Sequence, residues 1–417
     1  MRIDHCYTYL STVTLPSLEE LEEEELSTAD VPVAKEDFLH FGREWPKISV
    51  ELSTEELFAM IDTRKQEIFS QKEAMRSVLD GDASPFQEEV YALFDTGSLK
   101  STKLGGGGVY FLCDANGTPQ FVVKPADEAI LCLNNPKHRA SPFNDELHRL
   151  REFLPLYQSP STEAAVSALA AECGIARCSP ETQLMILSSH LFYDISERLD
   201  NYAGTTDKEK LCSVQRFIPD SIDLTQAMHE WFEAGLEETQ FFPIDQEDYE
   251  EVLLLLWLIF DGDGHSSNFR IYFKGINENG EAYYGIKKID NGLSLPECNS
   301  YLLNYLGYLP NARMTPSQCL LERILNLNEE RCLKIFDHYR LPYAKEAFLE
   351  RVEVLKEVAK RPFISLEEIN LRFELLCLPN GKEYALSPKS IDEITDELSR
   401  NASSPTEAAQ NFIFLRA

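Results

Sequence analysis

Two polar segments on either side of one predicted β-hairpin constrain the fold of this chain most. The first is DGDGHSSN, residues 261–268, and the second is IDNG, residues 289–292. Between them, FRIYF and YYGIKKI read as two strands joined around an Asn279-Gly280 turn. If the strands pair in register, Asn268 and Asp290 lie side by side at the same end of the hairpin. Their amide and carboxylate oxygens then predict a magnesium site whose shell is completed by phosphates.

Asp263 precedes Asn268 by five positions. This is the spacing of a catalytic-loop aspartate, which accepts or orients the attacking hydroxyl. Simple turn formation by Asp261 and Asp263 is the alternative, because repeated Asp-Gly is ordinary loop chemistry. His265 has three interpretations: a structural histidine that bonds the loop backbone, a titrating group, or a metal ligand. No second histidine nearby in the sequence supports a zinc site.

A glycine run and a lysine form the next pair of features. The run Gly105 to Gly108 stands directly before the predicted strand VYFL, where missing side chains let backbone amides approach phosphate oxygens. It is neither a P-loop nor a GxGxxG fingerprint, and a flexible loop is the alternative. The next strand, QFVV, follows an Asn116-Gly117 turn and ends at Lys124, which aims the ammonium at the glycines. A kinase uses such a point charge on the phosphates of its nucleotide.

The carboxylate partner that this lysine requires is predicted on the following helix. Helical spacing runs from Ser161 to Ala171, and Glu163 near its start is the best candidate for the ion pair. The alternative is an ordinary helix-start carboxylate stabilised by the helix dipole. The lysine strand, the DxxxxN loop and the IDNG element occur in the order that one kinase site requires, and this order favours a nucleotide site.

At this point the sequence resembles the phosphatidylinositol 3/4-kinase family, particularly the type II 4-kinases and their bacterial relatives. The similarity extends from about Leu104 to Pro296. It includes the glycine loop before a YF strand, the KPxDE context of Lys124, the NPK tripeptide at residues 135–137, the DxxxxN loop, and IDNGLxxP ending at Pro296.

The resemblance implies specific roles. Asp263 would be catalytic, Asn268 and Asp290 would bind Mg²⁺ or, as an alternative, Mn²⁺, and Lys124 would contact the ATP phosphates and pair with Glu163. The segment SVQRFIP, residues 213–219, resembles the interlobe hinge, whose backbone would meet adenine. The residues implied for ATP binding are Gly105, Gly106, Gly107, Gly108, Val109, Lys124, Glu163, Gln215, Arg216 and Phe217.

The implied fold is α+β and protein-kinase-like, with a small antiparallel-sheet N-lobe and a mainly helical C-lobe. We expect an acidic, largely helical N-terminal extension over residues 1–85, with an amphipathic helix from Ser53 to near Gly81. The N-lobe with its glycine loop and hinge would cover residues 86–219, and the C-lobe residues 220–380. Residues 381–417 are expected to form a C-terminal tail.

Three functions are compatible with these motifs. The first is a lipid kinase that phosphorylates an inositol hydroxyl of a phosphoinositide, the second an atypical protein Ser/Thr kinase on the same scaffold, and the third a nucleotide-binding pseudokinase that serves as an interaction protein. A HipA-like kinase is a neighbouring alternative, because its catalytic loop also carries Asp, His and Asn.

The sequence departs from the family pattern in one place that bears on regulation or rate and in another that bears on the acceptor. Gly264 stands where the family often has an arginine after the catalytic aspartate. Residues 291–321 contain a single basic residue, Arg313, whereas a phosphoinositide headgroup ordinarily requires several donors. Lys287 and Lys288 would help only if they face the cleft.

The composition disfavours two classes of binding partner. The formal net charge is -31, from 39 basic and 70 acidic residues, which disfavours nucleic-acid binding and broad adsorption to anionic membranes. The longest apolar run, Val252 to Phe260, is nine residues long. A membrane-spanning helix needs about 20, so no transmembrane segment is expected. The ten scattered cysteines are interpreted as reduced thiols.

We expect a cytoplasmic protein, peripheral at membranes if its acceptor is a lipid. The N-terminus lacks the apolar core and cleavage site of a secretory signal. Delivery out of a producing bacterium by a non-Sec route stays open.

Overall fold

The structure is a computed structural model. It describes residues 54–401 except for 80, 82, 103–105, 130–131, 137–154, 156, 199–203, 205, 238, 300–301, 362–363 and 379. The acidic run near residues 19–25, Gly105, Lys137 and the last part of the predicted tail, residues 402–417, lie outside the described residues.

The described elements follow one another in this order. The α-helices are α1 Thr54–Leu79, α2 Pro85–Thr96, α3 Ser159–Glu172, α4 Leu224–Glu233, α5 Gln246–Ile259, α6 Gln318–Leu325, α7 Glu329–His338, α8 Lys345–Ala359, α9 Leu366–Leu375, α10 Gly381–Leu386 and α11 Ile391–Asn401. The strands are β1 Ser98–Ser101, β2 Tyr110–Cys113, β3 Pro119–Pro125, β4 Thr182–Ser188, β5 Glu209–Arg216, β6 Ser221–Asp223, β7 Phe269–Ile276 and β8 Ala282–Lys288.

An antiparallel sheet with the strand order β1-β2-β3-β5-β4 forms the first lobe. Its β2–β3 hairpin pairs Tyr110 with Val123 around the predicted Asn116-Gly117 turn. Helix α3 lies between β3 and β4 in the chain and packs against β4 and β5. The core on the α2 side combines Phe86 and Val90 of that helix with buried strand residues such as Phe121. The predicted sheet lobe is confirmed.

Helix α1 docks onto this sheet lobe. Met75 of α1 is buried in one cluster with Tyr157, Ala164 and Leu211, which lie just before α3, in α3 and in β5. Gln71 adds a hydrogen bond, in which its Nε2 donates to the Tyr157 carbonyl at 2.8 Å. The predicted amphipathic helix is therefore confirmed, and its apolar side packs against the lobe that follows it.

The second lobe is mainly helical and is built around α5. Residues Val252 to Phe260 are fully buried, which explains why this stretch is apolar on every side. Phe260 takes a left-handed conformation, φ 51°, and ends the helix directly before the DGDG loop. The β7–β8 hairpin follows with β6 at its edge, giving a second sheet of order β6-β7-β8. The α+β class with a sheet lobe and a helical lobe is confirmed.

Within the described part of the chain, no helix combines the length and apolar character that crossing a membrane requires.

Residues 381–401 differ from the predicted tail. They form α10 and α11, and α10 packs against α8 and α9. The buried guanidinium of Arg372 in α9 donates to the carbonyls of Ser387 at 2.8 Å and Lys389 at 2.7 Å. These bonds fix the chain after α10 to the helical lobe, so an independent tail cannot begin at residue 381.

We predict that Glu374 of α9 makes stability depend on pH. Burial raises its pKa to about 7, although the hydrogen bonds that it accepts from Tyr308 and Asn370 lower the pKa. The folded chain then binds this proton more tightly than the unfolded chain, so the free energy of unfolding falls as pH rises from about 4.5 to 7. Urea unfolding at pH 5 and at pH 8 gives the fall in the free energy of unfolding between the two pH values. This fall should be smaller in Glu374→Gln than in the wild type, by on the order of 2 kcal/mol.

The control for this measurement is Glu278→Gln, at the exposed tip of the β7–β8 hairpin. It should follow the wild-type pH dependence. The same pH dependence in Glu374→Gln and the wild type would contradict the assignment.

Candidate active site

Lys124 and Glu163 form an ion pair. Nζ of Lys124, on β3, lies 2.7 Å from Oε1 of Glu163, whose side chain is 1% exposed. The second oxygen of Glu163 accepts a hydrogen bond from Oγ of Ser213 at 2.7 Å. Both oxygens of this buried carboxylate are satisfied, and α3 is held against the sheet. Sequence reasoning missed Ser213, whose role follows from the β3–β5 register that sets it opposite Lys124.

The same ammonium reaches across to Asp290. Its Nζ lies 2.9 Å from Oδ1 of Asp290, a residue of the helical lobe. Burial alone would lower the pKa of Lys124, but the charges of Asp290 and Glu163 raise it above its usual value. The charge of Lys124 in turn lowers the pKa of Asp290 to about 2. Asp290 is thus an anion at neutral pH, and its side chain is still 49% exposed.

The hairpin brings the remaining predicted residues to the same place. β7 and β8 pair Phe269 with Lys288, and the Ile289 amide donates to the Asn268 carbonyl at 2.9 Å. Asn268 and Asp290 therefore lie at one end of the hairpin, as the register predicted. Nδ2 of Asn268 donates to the Asp263 carbonyl at 2.7 Å and to Oδ2 of the same residue at 3.2 Å.

A continuous series of contacts thus links the residues to which sequence reasoning assigned the chemistry. They follow one another as Glu163, Lys124 and Asp290, then through the backbone of the neighbouring Ile289 to Asn268 and Asp263. Burial raises the pKa of Asp263 to about 7, and the charges of Asp261 and Asp290 add to the shift. A carboxylate with such a pKa is suited to take up a proton near neutral pH.

Asp261 and Lys288 form a fully buried ion pair that sequence reasoning missed. Oδ2 of Asp261 lies 2.9 Å from Nζ of Lys288, and both side chains are 0% exposed. Asp261 is therefore more than a turn former. Lys288 does not face the cleft as a free cation. Lys287 lies over the Tyr272 ring at 5.9 Å, and burial lowers its pKa.

The described part of the glycine run is anchored to its surroundings. The Gly108 amide donates to the Glu128 carbonyl at 2.8 Å, and Nδ2 of Asn135 donates to the Gly106 carbonyl at 2.9 Å. A Cβ atom at Gly108 would overlap the Glu128 side chain, which explains glycine at this position. Glu128 is itself fixed by Lys210 at 3.0 Å. The supporting residues Glu128 and Asn135 belong to the KPxDE and NPK motifs, which were the signal for them.

The predicted adenine-binding segment uses two of its backbone amides within the sheet, so an adenine contact there would depend on its other backbone groups. The Arg216 amide donates to the Glu181 carbonyl at 2.9 Å, and the Phe217 amide donates to the Gln120 carbonyl at 2.8 Å. Because both amides are already used to close the sheet, they are not available to adenine. Gln215 lies in the interior strand β5, between β3 and β4.

The Arg216 side chain also has a structural role. Its guanidinium forms two hydrogen bonds to Glu89 of α2, at 3.1 and 2.9 Å. It also lies over the rings of Phe86 and Phe121, at 5.3 and 5.1 Å. These contacts hold α2 to the sheet through ionic and cation–π attraction, and they account for this arginine without a nucleotide.

The donor set is compatible with magnesium bound together with phosphates. Among the residues that the structure describes, no group of three or more His, Cys, Asp or Glu side chains could hold a metal by itself. Asn268 and Asp290 supply hard oxygen atoms, and Mg²⁺ commonly takes only one or two such protein ligands with phosphate oxygens. His265 is 46% exposed, and its Nε2 lies 3.6 Å from Oδ1 of Asp263. This proximity to one carboxylate does not make a three-ligand site.

Comparison with known proteins adds a distant relationship. No protein-family model matches this chain. Over 317 residues it is 25% identical to phosphatidylinositol 4-kinase gamma 6 of Arabidopsis thaliana. The aligned region covers 69% of this chain and 48% of that protein. The chain therefore spans about half the length of this relative. The crystal structure of the Golgi casein kinase is similar with a TM-score of 0.37 and 13% identity, over 66% of this chain and 77% of that one.

The two lobes and the placement of these side chains describe a kinase-like fold. The sheet carries the lysine, the helix packed on it carries the glutamate, and the helical lobe carries the DxxxxN loop and Asp290. The similarity to phosphatidylinositol 4-kinase gamma 6 supports a kinase-like family. It does not distinguish the type II branch that the motifs favoured.

We predict that Gly264 cannot carry a side chain. A Cβ atom there would overlap the Leu303 carbonyl, because Gly264 pairs with Asn304 and accepts the Tyr305 amide at 3.1 Å. The departure from the family arginine thus has a steric reason. Gly264→Ala should lower the free energy of unfolding by about 1–3 kcal/mol, measured by urea denaturation.

Gly81→Ala is the matched control, since a Cβ atom at Gly81 would meet nothing within 4 Å. It should change stability by less than about 0.5 kcal/mol. Equal effects of the two substitutions would contradict the steric explanation.

Proposed function

We propose that this chain is an ATP-dependent phosphotransferase. The observation that carries the proposal is that Glu163 and Asp290 both contact the ammonium group of Lys124. Asp263 and Asn268, which are joined by a hydrogen bond, lie beside this group. Kinase catalysis needs little covalent chemistry from the protein, and it depends on positioning and charge stabilisation around the phosphates. This cluster supplies both.

Each of these residues would have a separate role in phosphoryl transfer. Lys124, held by Glu163, would place its charge on the nucleotide phosphates. Asp263 would orient the acceptor hydroxyl and take its proton, as its raised pKa permits. A bond forms between the acceptor oxygen and the γ-phosphorus, while the bond from the γ-phosphorus to the β,γ-bridging oxygen breaks and ADP leaves.

Asn268 and Asp290 would hold magnesium, with manganese as an alternative. When bound, the metal neutralises charge on the phosphate oxygens. Lys124 already lowers the pKa of Asp290, so this carboxylate is available as an anion throughout the neutral range.

The first candidate acceptor is an inositol hydroxyl of a phosphoinositide. Its support is the family motifs together with the similarity to phosphatidylinositol 4-kinase gamma 6. Contact with a membrane surface would follow from this acceptor.

The second candidate acceptor is a protein Ser/Thr hydroxyl, and the distribution of cations favours it. Residues 291–321 carry one basic residue, the exposed Arg313. Lys288 is used in the buried pair with Asp261, and Lys287 is packed on Tyr272. The described positions thus offer a phosphorylated headgroup few donors.

We predict that Asp290→Asn nearly abolishes phosphoryl transfer. The substitution removes the charge that would bind the metal and that pairs with Lys124. The kcat with magnesium and labelled ATP should fall by a factor on the order of 10² to 10³, the range typical for one preorganised electrostatic group. Glu278→Gln, exposed at the far end of the same hairpin, should keep wild-type kcat. Full activity of Asp290→Asn would remove the metal-site assignment.

The acceptor is identified by where the label appears. The purified chain receives labelled ATP and magnesium with phosphatidylinositol vesicles, with general protein substrates, or with neither. Labelled lipid supports the first acceptor and labelled protein the second. Thermal stabilisation by ATP without transfer to any acceptor would point to a nucleotide-binding pseudokinase and would overturn the enzymatic proposal.

A further inference from the structure

The buried pair of Asp261 and Lys288 requires an explanation. Neither side chain has any exposed area, so both charges are removed from water. Such a pair contributes little to stability compared with apolar residues of similar size, because desolvation offsets the attraction. Its presence beside the site therefore suggests a role in geometry, which the hydrogen bonds of each partner reveal.

Asp261 holds the loop that carries Asp263. Its Oδ1 accepts the Asp263 amide at 3.2 Å and Oγ of Ser294 at 3.1 Å. Its backbone carbonyl accepts the Leu303 amide at 2.9 Å. One residue thus ties together the catalytic loop, the segment after Asp290 and the segment that packs against Gly264.

Lys288 holds the backbone around Asp290. Its Nζ donates to the Ile289 carbonyl at 2.6 Å and to the Asp290 carbonyl at 3.3 Å. Asp290 has a φ of 58°, in the left-handed region that residues other than glycine seldom occupy. Such a conformation persists only where the surroundings enforce it, and the ammonium of Lys288 is placed to do so.

We propose that Asp261 and Lys288 are a pair of positioning residues that fixes the distance between the catalytic loop and the metal-binding loop. Asp261 sets the loop of Asp263, Lys288 sets the backbone of Asp290, and the ion pair joins the two. Neither side chain touches the reacting groups. The inference rests on the proposed function, because it assigns the pair to that same site.

The test is the double variant Asp261→Asn with Lys288→Met, measured by Mn²⁺ titration in electron paramagnetic resonance with a non-hydrolysable ATP analogue. Removing both charges together avoids leaving one buried charge without a partner, so the melting temperature should stay near that of the wild type. Mn²⁺ affinity should fall about tenfold or more, and kcat by a similar factor, as expected for residues that orient a metal ligand.

The matched control is Glu251→Gln with Arg323→Met. Glu251 is 1% exposed and pairs with Arg323 at 2.5 Å, between α5 and α6. Arg177 also contacts Glu251 at 2.6 Å, but it keeps its ion pair with Glu247 at 2.7 Å in this variant. This double variant should keep wild-type Mn²⁺ affinity and kcat. A loss of Mn²⁺ affinity as large as that of the Asp261 and Lys288 variant would show a general effect of removing charge pairs, and would overturn the inference.

A second variant keeps the inference testable if the double variant does not fold. Ser294→Ala removes only one hydrogen bond to Asp261, and it should lower Mn²⁺ affinity severalfold while the chain stays folded. Mn²⁺ affinity and kcat equal to those of the wild type, in a folded double variant or in Ser294→Ala, would overturn the positioning role.

The outcomes separate this inference from the proposed function. If the wild type binds Mn²⁺ with the analogue and Asp290→Asn does not, the proposed metal site stands whatever the positioning variants show. If the wild type itself binds neither Mn²⁺ nor the analogue, the proposed function fails, and the positioning role fails with it.

Discussion

The ammonium group of Lys124 is the point on which the rest of the site depends. It lies between a carboxylate of the sheet lobe, Glu163, and a carboxylate of the helical lobe, Asp290. The three charges come from β3, from α3 and from the segment after β8. Because opposite charges in a partly buried place attract strongly, this lysine joins the two lobes at the position proposed for the phosphates of a nucleotide.

The protein holds these charged groups with backbone contacts and hydrogen bonds from polar side chains. Gly108 and Gly264 each let the chain approach a neighbour so closely that a Cβ atom would overlap it. Ser213 satisfies the second oxygen of Glu163, and Asn268 fixes Asp263. These contacts fix the positions of the charged groups, which is what the proposed catalysis by charge stabilisation requires.

The scaffold constrains the acceptor less than it constrains the proposed nucleotide site. Proteins that share one fold can act on different acceptors, because the side chains around the reacting hydroxyl select the acceptor. The sequence offered Lys287 and Lys288 for a phosphorylated headgroup, but the structure places Lys288 in a buried pair and packs Lys287 on an aromatic ring. With a net charge of -31, the chain has no general attraction for anionic partners, so a lipid acceptor would need donors beyond these two.

Local pattern determined the elements and the order of the chemical groups. The alternation on both sides of Asn279-Gly280 predicted the hairpin, and its register placed Asn268 and Asp290 at one end, because strand pairing follows from local periodicity and turn chemistry. The helix that carries Glu163 was predicted in the same way.

Long-range pairing was decided only by the tertiary structure. The partnership of Asp261 with Lys288, the use of the Arg216 and Phe217 amides inside the sheet, and the packing of residues 381–401 all join segments distant in sequence. Periodicity shows that a charged side chain or an amide is present, but not which distant group it meets. That is fixed when burial forces each polar group to find a partner.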